Sequence, residues 1–298
     1  MPIIAGNTEI EKYTLRGQDL WFKREDYNPS GSFKDRLIAY LWPRLLQASY
    51  PEIVLSSSGN MAISLLYWQI HSQEKLGSKL RIFIADNLPE SKELKLSELA
   101  SQAGALIIKS AKPKSQAISY AKTQNAFLLR GSEVDEYADS YHSLADEIVA
   151  YQVAQNFPFS EIFICCSSAT AAQGLLEGLL TYKTWRHGKV FLVQTSHINP
   201  FAKEFDADFS YESETKANAI ADRIARRKPR VLELLAAMQG SGVVVSNVEI
   251  EQGLASWREL FPTSGNYTGN TVLSLAGMLK LRQKGYNFAK PLIIVSGN

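Results

Sequence analysis

This sequence is short of the residues that most readily assign a function. Its 298 residues include only two cysteines and four histidines. Cys165 and Cys166 are adjacent in an apolar run, so a strand would point them to opposite faces, a poor geometry for a disulfide between them. No second Cys or His pair stands at ligand spacing, and His71, His142, His187 and His197 are scattered. Neither a metal site nor a catalytic triad is therefore expected. An excess of one charge is also missing: 32 basic residues face 30 acidic ones, for a net charge of +2, so no overall field selects nucleic acid or an acidic surface. No apolar run approaches the roughly 20 residues of a membrane span. The opening Met1-Pro2-Ile3-Ile4-Ala5-Gly6-Asn7 resembles neither a secretory signal nor an Arg-rich transit peptide, so a cytoplasmic location is expected. Internal repeats are absent, as are Gly-x-Gly-x-x-Gly and the Gly-Lys-Ser/Thr phosphate loop, the usual nucleotide-binding signatures.

At 45% hydrophobic and 21% charged, the composition is that of an ordinary globular protein. Short apolar runs at 20–24, 53–55, 80–85, 105–108, 126–129, 162–166, 190–194, 242–246 and 292–295 predict strands. Helical patterns fall between them, at 61–70, 93–103, 115–123, 143–155, from the 167–170 loop to 180, and at 217–225, 231–238 and 247–260. Strands alternating with helices, most of them continuously apolar, predict an α/β fold with parallel sheets covered on both faces. Residues 206–216 read as a loop. Arg226-Arg227-Lys228-Pro229-Arg230 reads as a solvated turn.

The sequence centres on Asn28-Pro29-Ser30-Gly31-Ser32-Phe33-Lys34-Asp35-Arg36. Turn-forming residues lead into the apolar run Leu37-Ile38-Ala39-Tyr40-Leu41-Trp42, a helix expected to end or kink near Pro43. Ser30 or Ser32 is placed to cap it, and Asp35 suits its positive first turn. Lys34 stands where a cation gains nothing from the helix dipole. Its ammonium pKa is expected to fall, and a neutral lysine amine is a nucleophile toward carbonyls.

Open α/β sheets gather ligands at the carboxyl ends of their strands. Three such ends here are made of small residues: Ser56-Ser57-Ser58-Gly59-Asn60, Ser167-Ser168-Ala169-Thr170-Ala171, and Ser296-Gly297-Asn298. The first two precede helices, whose N-termini favour anions. A nucleophilic lysine with two anion sites predicts one ligand system: an aldehyde cofactor carrying a phosphate, and an amino-acid carboxylate beside it.

These motifs resemble the pyridoxal-phosphate fold type II family, the tryptophan-synthase-β-like enzymes. Residues 28–36 are similar to that family's cofactor-lysine motif, and Ser57-Ser58-Gly59-Asn60 to its substrate-carboxylate loop. Ser143 to Ile148, Ala219-Ile220-Ala221-Asp222 with Pro229, and Ile294 to Asn298 match further segments in the expected order. Within the family, the opening motif, the loop ending at Asn60, and Gln194-Thr195-Ser196 leading towards Asn199-Pro200 look most like threonine synthases. The resemblance implies two open, twisted, mostly parallel sheets covered by helices, with the cofactor between two domains. These would be residues 1–42 plus 135–298, and a smaller mobile domain at 43–134.

It also implies roles. Lys34 would bind pyridoxal 5'-phosphate covalently and move the proton at the substrate Cα. Phe33 would pack beside the ring and Asn60 hydrogen-bond its hydroxyl. Ser167, Ser168, Ala169, Thr170 and Ala171 would hold the phosphate. Ser57, Ser58, Gly59 and Asn60 would hold the substrate, and Ser296 would meet the pyridine nitrogen. The implied reaction is elimination or replacement on an amino acid, O-phosphohomoserine to threonine and phosphate first among them. Threonine or serine dehydratase and cysteine synthase chemistry are alternatives on the same scaffold, and a non-catalytic binding paralogue is the alternative of another class. The family's habit implies a homodimer and a small-molecule partner, without nucleic acid or membrane. Where the family has several glycines, the loop at 167–171 has none, and its dihedrals are left open between ordinary and left-handed ones.

Overall fold

A computed structural model describes residues 3–48, 50–57, 59–185, 188–263 and 267–297. The chain forms two compact units, one of residues 1–5 and 28–134 and the other of 6–27 and 135–298. Among the described residues, no helix is long and apolar enough to cross a membrane.

The smaller unit opens with helix α1 (Lys34–Ala48) and continues β3 (Glu52–Ser56), α2 (Asn60–His71), β4 (Lys79–Ala85), α3 (Glu90–Ala103), β5 (Leu106–Ser110), α4 (Pro113–Thr123) and β6 (Phe127–Leu129). Its four strands, in the order β5-β4-β3-β6, are all parallel. Val54 and Phe83 of the central strands pack on Ala117 and Ala121 of α4. The stretch 28–42, assigned above to the larger domain, groups with this unit instead. The cause is local: Asp35 in the first turn of α1 accepts a hydrogen bond from Ser64 of α2, and Gly131 sits against Leu37 and Met61.

The larger unit contains β1 (Ile10–Leu15), β2 (Gln18–Lys23), α5 (His142–Gln155), β7 (Glu161–Cys165), α6 (Thr170–Leu180), β8 (Lys189–Thr195), α7 (Lys228–Ala237), β9 (Ser241–Val245), α8 (Asn247–Leu260), α9 (Gly269–Gln283) and β10 (Pro291–Ile294). Its sheet runs β1-β2-β10-β7-β8-β9, parallel throughout except for the β1–β2 hairpin. Parallel sheets flanked by helices are the α/β fold that the sequence pattern predicts. Phe22, Phe163, Val193, Val243, Trp257, Leu273 and Ile293 belong to the core beneath this sheet.

Three expectations change. Helix α1 does not end at Trp42 but runs through Pro43 to Ala48. Its apolar face supplies the reason: Leu37, Ile38, Leu41, Trp42 and Leu45 are all buried, and that burial outweighs the missing Pro43 amide. Residues 217–225 are not helical. Their amides go to side chains instead, Ala219 N to Asn270 Oδ1 (2.9 Å), Ala221 N to Ser167 Oγ (3.1 Å) and Asp222 N to Ser167 Oγ (3.2 Å). The basic run is not a wholly solvated turn, because Arg227 is buried, donating to Gln173 Oε1 at 2.9 Å and lying 3.4 Å from Asp135. Burial draws its guanidinium below the ordinary value.

Candidate active site

The polar chain end of β2 is built as an anchor. Lys23, Arg24 and Glu25 are consecutive and all buried. Lys23 donates to Glu147 and to the Thr8 carbonyl, Arg24 to Glu11 and Asp26, and Thr8 Oγ1 to Glu25. Buried charges persist only when paired in this way. The chain leaves this anchor and enters residues 28–33.

Here Gly31 has φ +94°, a left-handed turn open to glycine. Ser32 Oγ accepts the Lys34 amide at 3.4 Å, so Ser32 rather than Ser30 supplies the capping hydroxyl. Lys34 is the first residue of α1, and its Nζ lies 4.7 Å from the centroid of the buried Phe33 ring. Asp35 does more than complement the dipole. Fully buried, it accepts the Ser30 amide on one carboxylate oxygen (2.6 Å) and the Ser64 hydroxyl on the other. Burial pushes its pKa up. One carboxylate thus ties the loop before Lys34 to α2, one turn beyond Asn60.

Asn60 opens α2. Its Oδ1 is buried with no hydrogen-bond partner. Ser57 Oγ accepts the amides of Gly59 (3.0 Å) and Ala62 (3.3 Å), which shapes the turn into the helix. Gly59 has φ +129°, a backbone that residues with a side chain rarely adopt, and a β-carbon there would come within 2.4 Å of Lys92 Cδ. Ser58 lies outside the described residues. Lys34, Ser57, Gly59 and Asn60 therefore belong to one unit, at the N-terminal ends of two helices joined through Asp35.

The second anion loop and the terminal serine lie in the other unit. Ser167 Oγ is the acceptor for Ala221 N and Asp222 N, and its hydroxyl proton remains to donate. Ser168 and Thr170 pair through their hydroxyls at 3.1 Å. Ala169 sits at φ +65°. The loop therefore has left-handed backbone at a residue with a side chain, and this costs about 1–2 kcal/mol. The first intrahelical bond of α6 runs from Gln173 N to Ala169 O, 2.8 Å, so amides of the helix's opening turn have no helical acceptor. Further along, Gly174 packs so closely that a β-carbon would meet the Ala138 carbonyl at 2.0 Å. Ser296, just past β10, is buried and accepts from the Cys165 thiol at 3.1 Å.

The sequence reading missed several positioning residues. Asp35 appears in it only as a dipole partner, and Ser64 not at all. Gln194 is named for its resemblance, yet its amide organises the backbone. It donates to Cys166 O (3.0 Å) and accepts from Phe201 N (2.8 Å) and Ala202 N (2.9 Å). Lys92 has no motif to announce it. Among the described residues, the candidate metal-binding group is Asp139, His142 and Glu177. It belongs to surface ion pairing, with Glu177 also holding Arg230 at 2.9 Å.

Two α/β units of parallel sheet flanked by helices, with a lysine opening one helix and small-residue loops opening two more, are the fold of the fold type II pyridoxal-phosphate enzymes. The chain belongs to the pyridoxal-phosphate dependent enzyme family, whose model matches residues 4–297, and its cofactor is pyridoxal 5'-phosphate. Curated proteins gave no sequence match. Solved structures of similar fold include O-ureido-L-serine synthase (14% identity, TM-score 0.78, covering 99% of this chain and 90% of that one). The O-acetylserine dependent cystathionine beta-synthase from Helicobacter pylori is similar at 17% identity and TM-score 0.76, covering 98% and 93%. Maize serine racemase is similar at 18% identity and TM-score 0.77, covering 97% and 87%.

Proposed function

We propose that this chain catalyses elimination or replacement at Cβ or Cγ of an amino acid, with Lys34 bearing the cofactor. The observation that carries this reading is the Asp35 tie, which joins the loop before Lys34 to the helix that Asn60 opens. Other features fit the cofactor. The orphaned Asn60 Oδ1 marks a side-chain amide in want of a polar neighbour, and the ring hydroxyl would be that neighbour. Amides at the opening of α6, with the Ser168 and Thr170 hydroxyls, would hold the phosphate. Ser57, Gly59 and Asn60, with Ser58, would seat the substrate.

When bound, pyridoxal phosphate supplies an electron sink for the pair left on the substrate Cα. Lys34 takes the Cα proton and returns it where the reaction requires. Ser296 would offer a neutral hydroxyl to the pyridine nitrogen, and it accepts a hydrogen bond from the Cys165 thiol. Without a carboxylate there, ring protonation is not enforced. That limits negative charge build-up and suits departure of a leaving group over transamination.

Within this class we read the chain as threonine synthase-like, converting O-phosphohomoserine to threonine and phosphate. The segment from Gln194 to Pro200 supports that reading. The similar structures named for O-ureido-L-serine and O-acetylserine support a second one, replacement at Cβ of a serine derivative. Supplying the holoenzyme with O-phosphohomoserine, and separately with O-acetylserine plus a thiol, decides between them. Phosphate with threonine is expected. A thioether product from O-acetylserine, or ketoacid release, would move the substrate within the class. No product from any β- or γ-substituted amino acid would contradict the class itself.

A further inference from the structure

Lys92 stands in the first turn of α3, its amide bonded to the Pro89 carbonyl at 3.0 Å. Its aliphatic stem lies across Gly59: a β-carbon on that glycine would be 2.4 Å from Cδ, 3.0 Å from Cε and 3.2 Å from Cγ. The Nζ is buried and has no hydrogen-bond partner. Burial, joined by the like charge of Lys95, draws this ammonium down to about 8.

Among the described residues of α2 and α3, no carboxylate bonds to this ammonium. Helix α2 carries no acidic residue. Glu93, adjacent to Lys92 on α3, is paired with Lys109 at 2.5 Å, and Glu90 is exposed on the same helix. A desolvated cation left unpaired is costly unless an anion arrives to compensate it. The stem lies across Gly59, beside Ser57 and Asn60 at the opening of α2, where a helix N-terminus favours negative charge.

We propose that Lys92 is a substrate-binding residue whose ammonium receives an oxyanion of the amino-acid substrate at the opening of α2, beside Ser57, Gly59 and Asn60. This rests on the reading of those residues as the substrate's seat. The oxyanion comes from either the α-carboxylate or an anionic group on the side chain, and the two sources separate experimentally.

Lys92→Met keeps the stem over Gly59 and deletes the charge, so it tests the ammonium without opening a cavity. Binding of L-serine, L-serinamide and O-phospho-L-serine to the holoenzyme is followed by cofactor absorbance. The L-serine to L-serinamide ratio reads the α-carboxylate, and the O-phospho-L-serine to L-serine ratio reads a side-chain anion. Loss of a charge-assisted contact predicts that one of these ratios falls about tenfold or more in Lys92→Met. Lys92→Arg should retain most of that preference. The variant should melt no lower than the wild type, because an unpaired buried cation has been removed. Both ratios unchanged in Lys92→Met would overturn the assignment of Lys92 alone. No absorbance response to any of the three probes in the wild type would overturn the seat, and Lys92 with it.

Discussion

Asp35 and Ala169 show how single residues set the two halves of the chemistry. The sequence makes Lys34 conspicuous, because a cation at a helix start lacks electrostatic reward. It does not reveal why that lysine stays in place. The reason is a buried carboxylate one residue on, whose oxygens are divided between Ser30 and Ser64. No spacing rule predicts a partner 29 residues away. Ala169 is the opposite case. The glycine-free loop is visible in the sequence, but only the structure shows that it contains a left-handed residue, at φ +65°. Ala169→Gly should therefore stabilise the protein, by roughly 0.5–1 kcal/mol after glycine's larger unfolded-state entropy is offset against the relief of strain. Urea unfolding of the variant checks this; a loss of stability would mean that the alanine side chain contributes packing worth more than the strain.

Elements were legible where burial is one-sided or flanked by turn residues. Strands β3, β4, β7 and β8 are short apolar runs between such signals, and α8, expected at 247–260, opens in the structure with a Ser246–Glu249 capping box. Two elements had no such signature. Strand β1, Ile-Glu-Lys-Tyr-Thr-Leu, mixes charged, half-buried and exposed residues in an edge hairpin without a clean apolar alternation. Helix α9 is buried on nearly every side, from Gly269 to Leu281, so it lacks the polar stripe by which helices are recognised. The segment 217–225 failed differently: its helical composition loses to specific side-chain acceptors, as alanine amides bond to Ser167 and Asn270. The same contacts couple this segment to the loop at 167–171. Ser167→Ala removes the acceptor of two amides and should cost about 1–3 kcal/mol. Hydrogen exchange at Ala221 and Asp222 should accelerate with it. Unchanged exchange at those two amides would show that Ser167 does not hold the segment.

For the molecule as a whole, the alternation of strands and helices gave the α/β class, and the motifs gave the family. The division of the chain was harder to read. Residues 28–42 follow directly on the larger unit's segment 6–27, yet they fold with residues 43–134. A boundary placed by composition misses this, since α1 is committed by contacts with α2 rather than by its own sequence. The chemistry proposed here rests on one lysine among several: Lys23 is buried in an ion pair with Glu147, Lys280 is buried beside Asp206, and Lys92 is half-buried with its Nζ unbonded. Borohydride reduction of the holoenzyme, followed by peptide mass spectrometry, fixes and locates the bond between cofactor and protein. The pyridoxyl mass is expected on the peptide containing Lys34, and it should vanish from the Lys34→Ala variant. A label on Lys92 or any other lysine, or a label retained in Lys34→Ala, would contradict the assignment on which the proposed function stands.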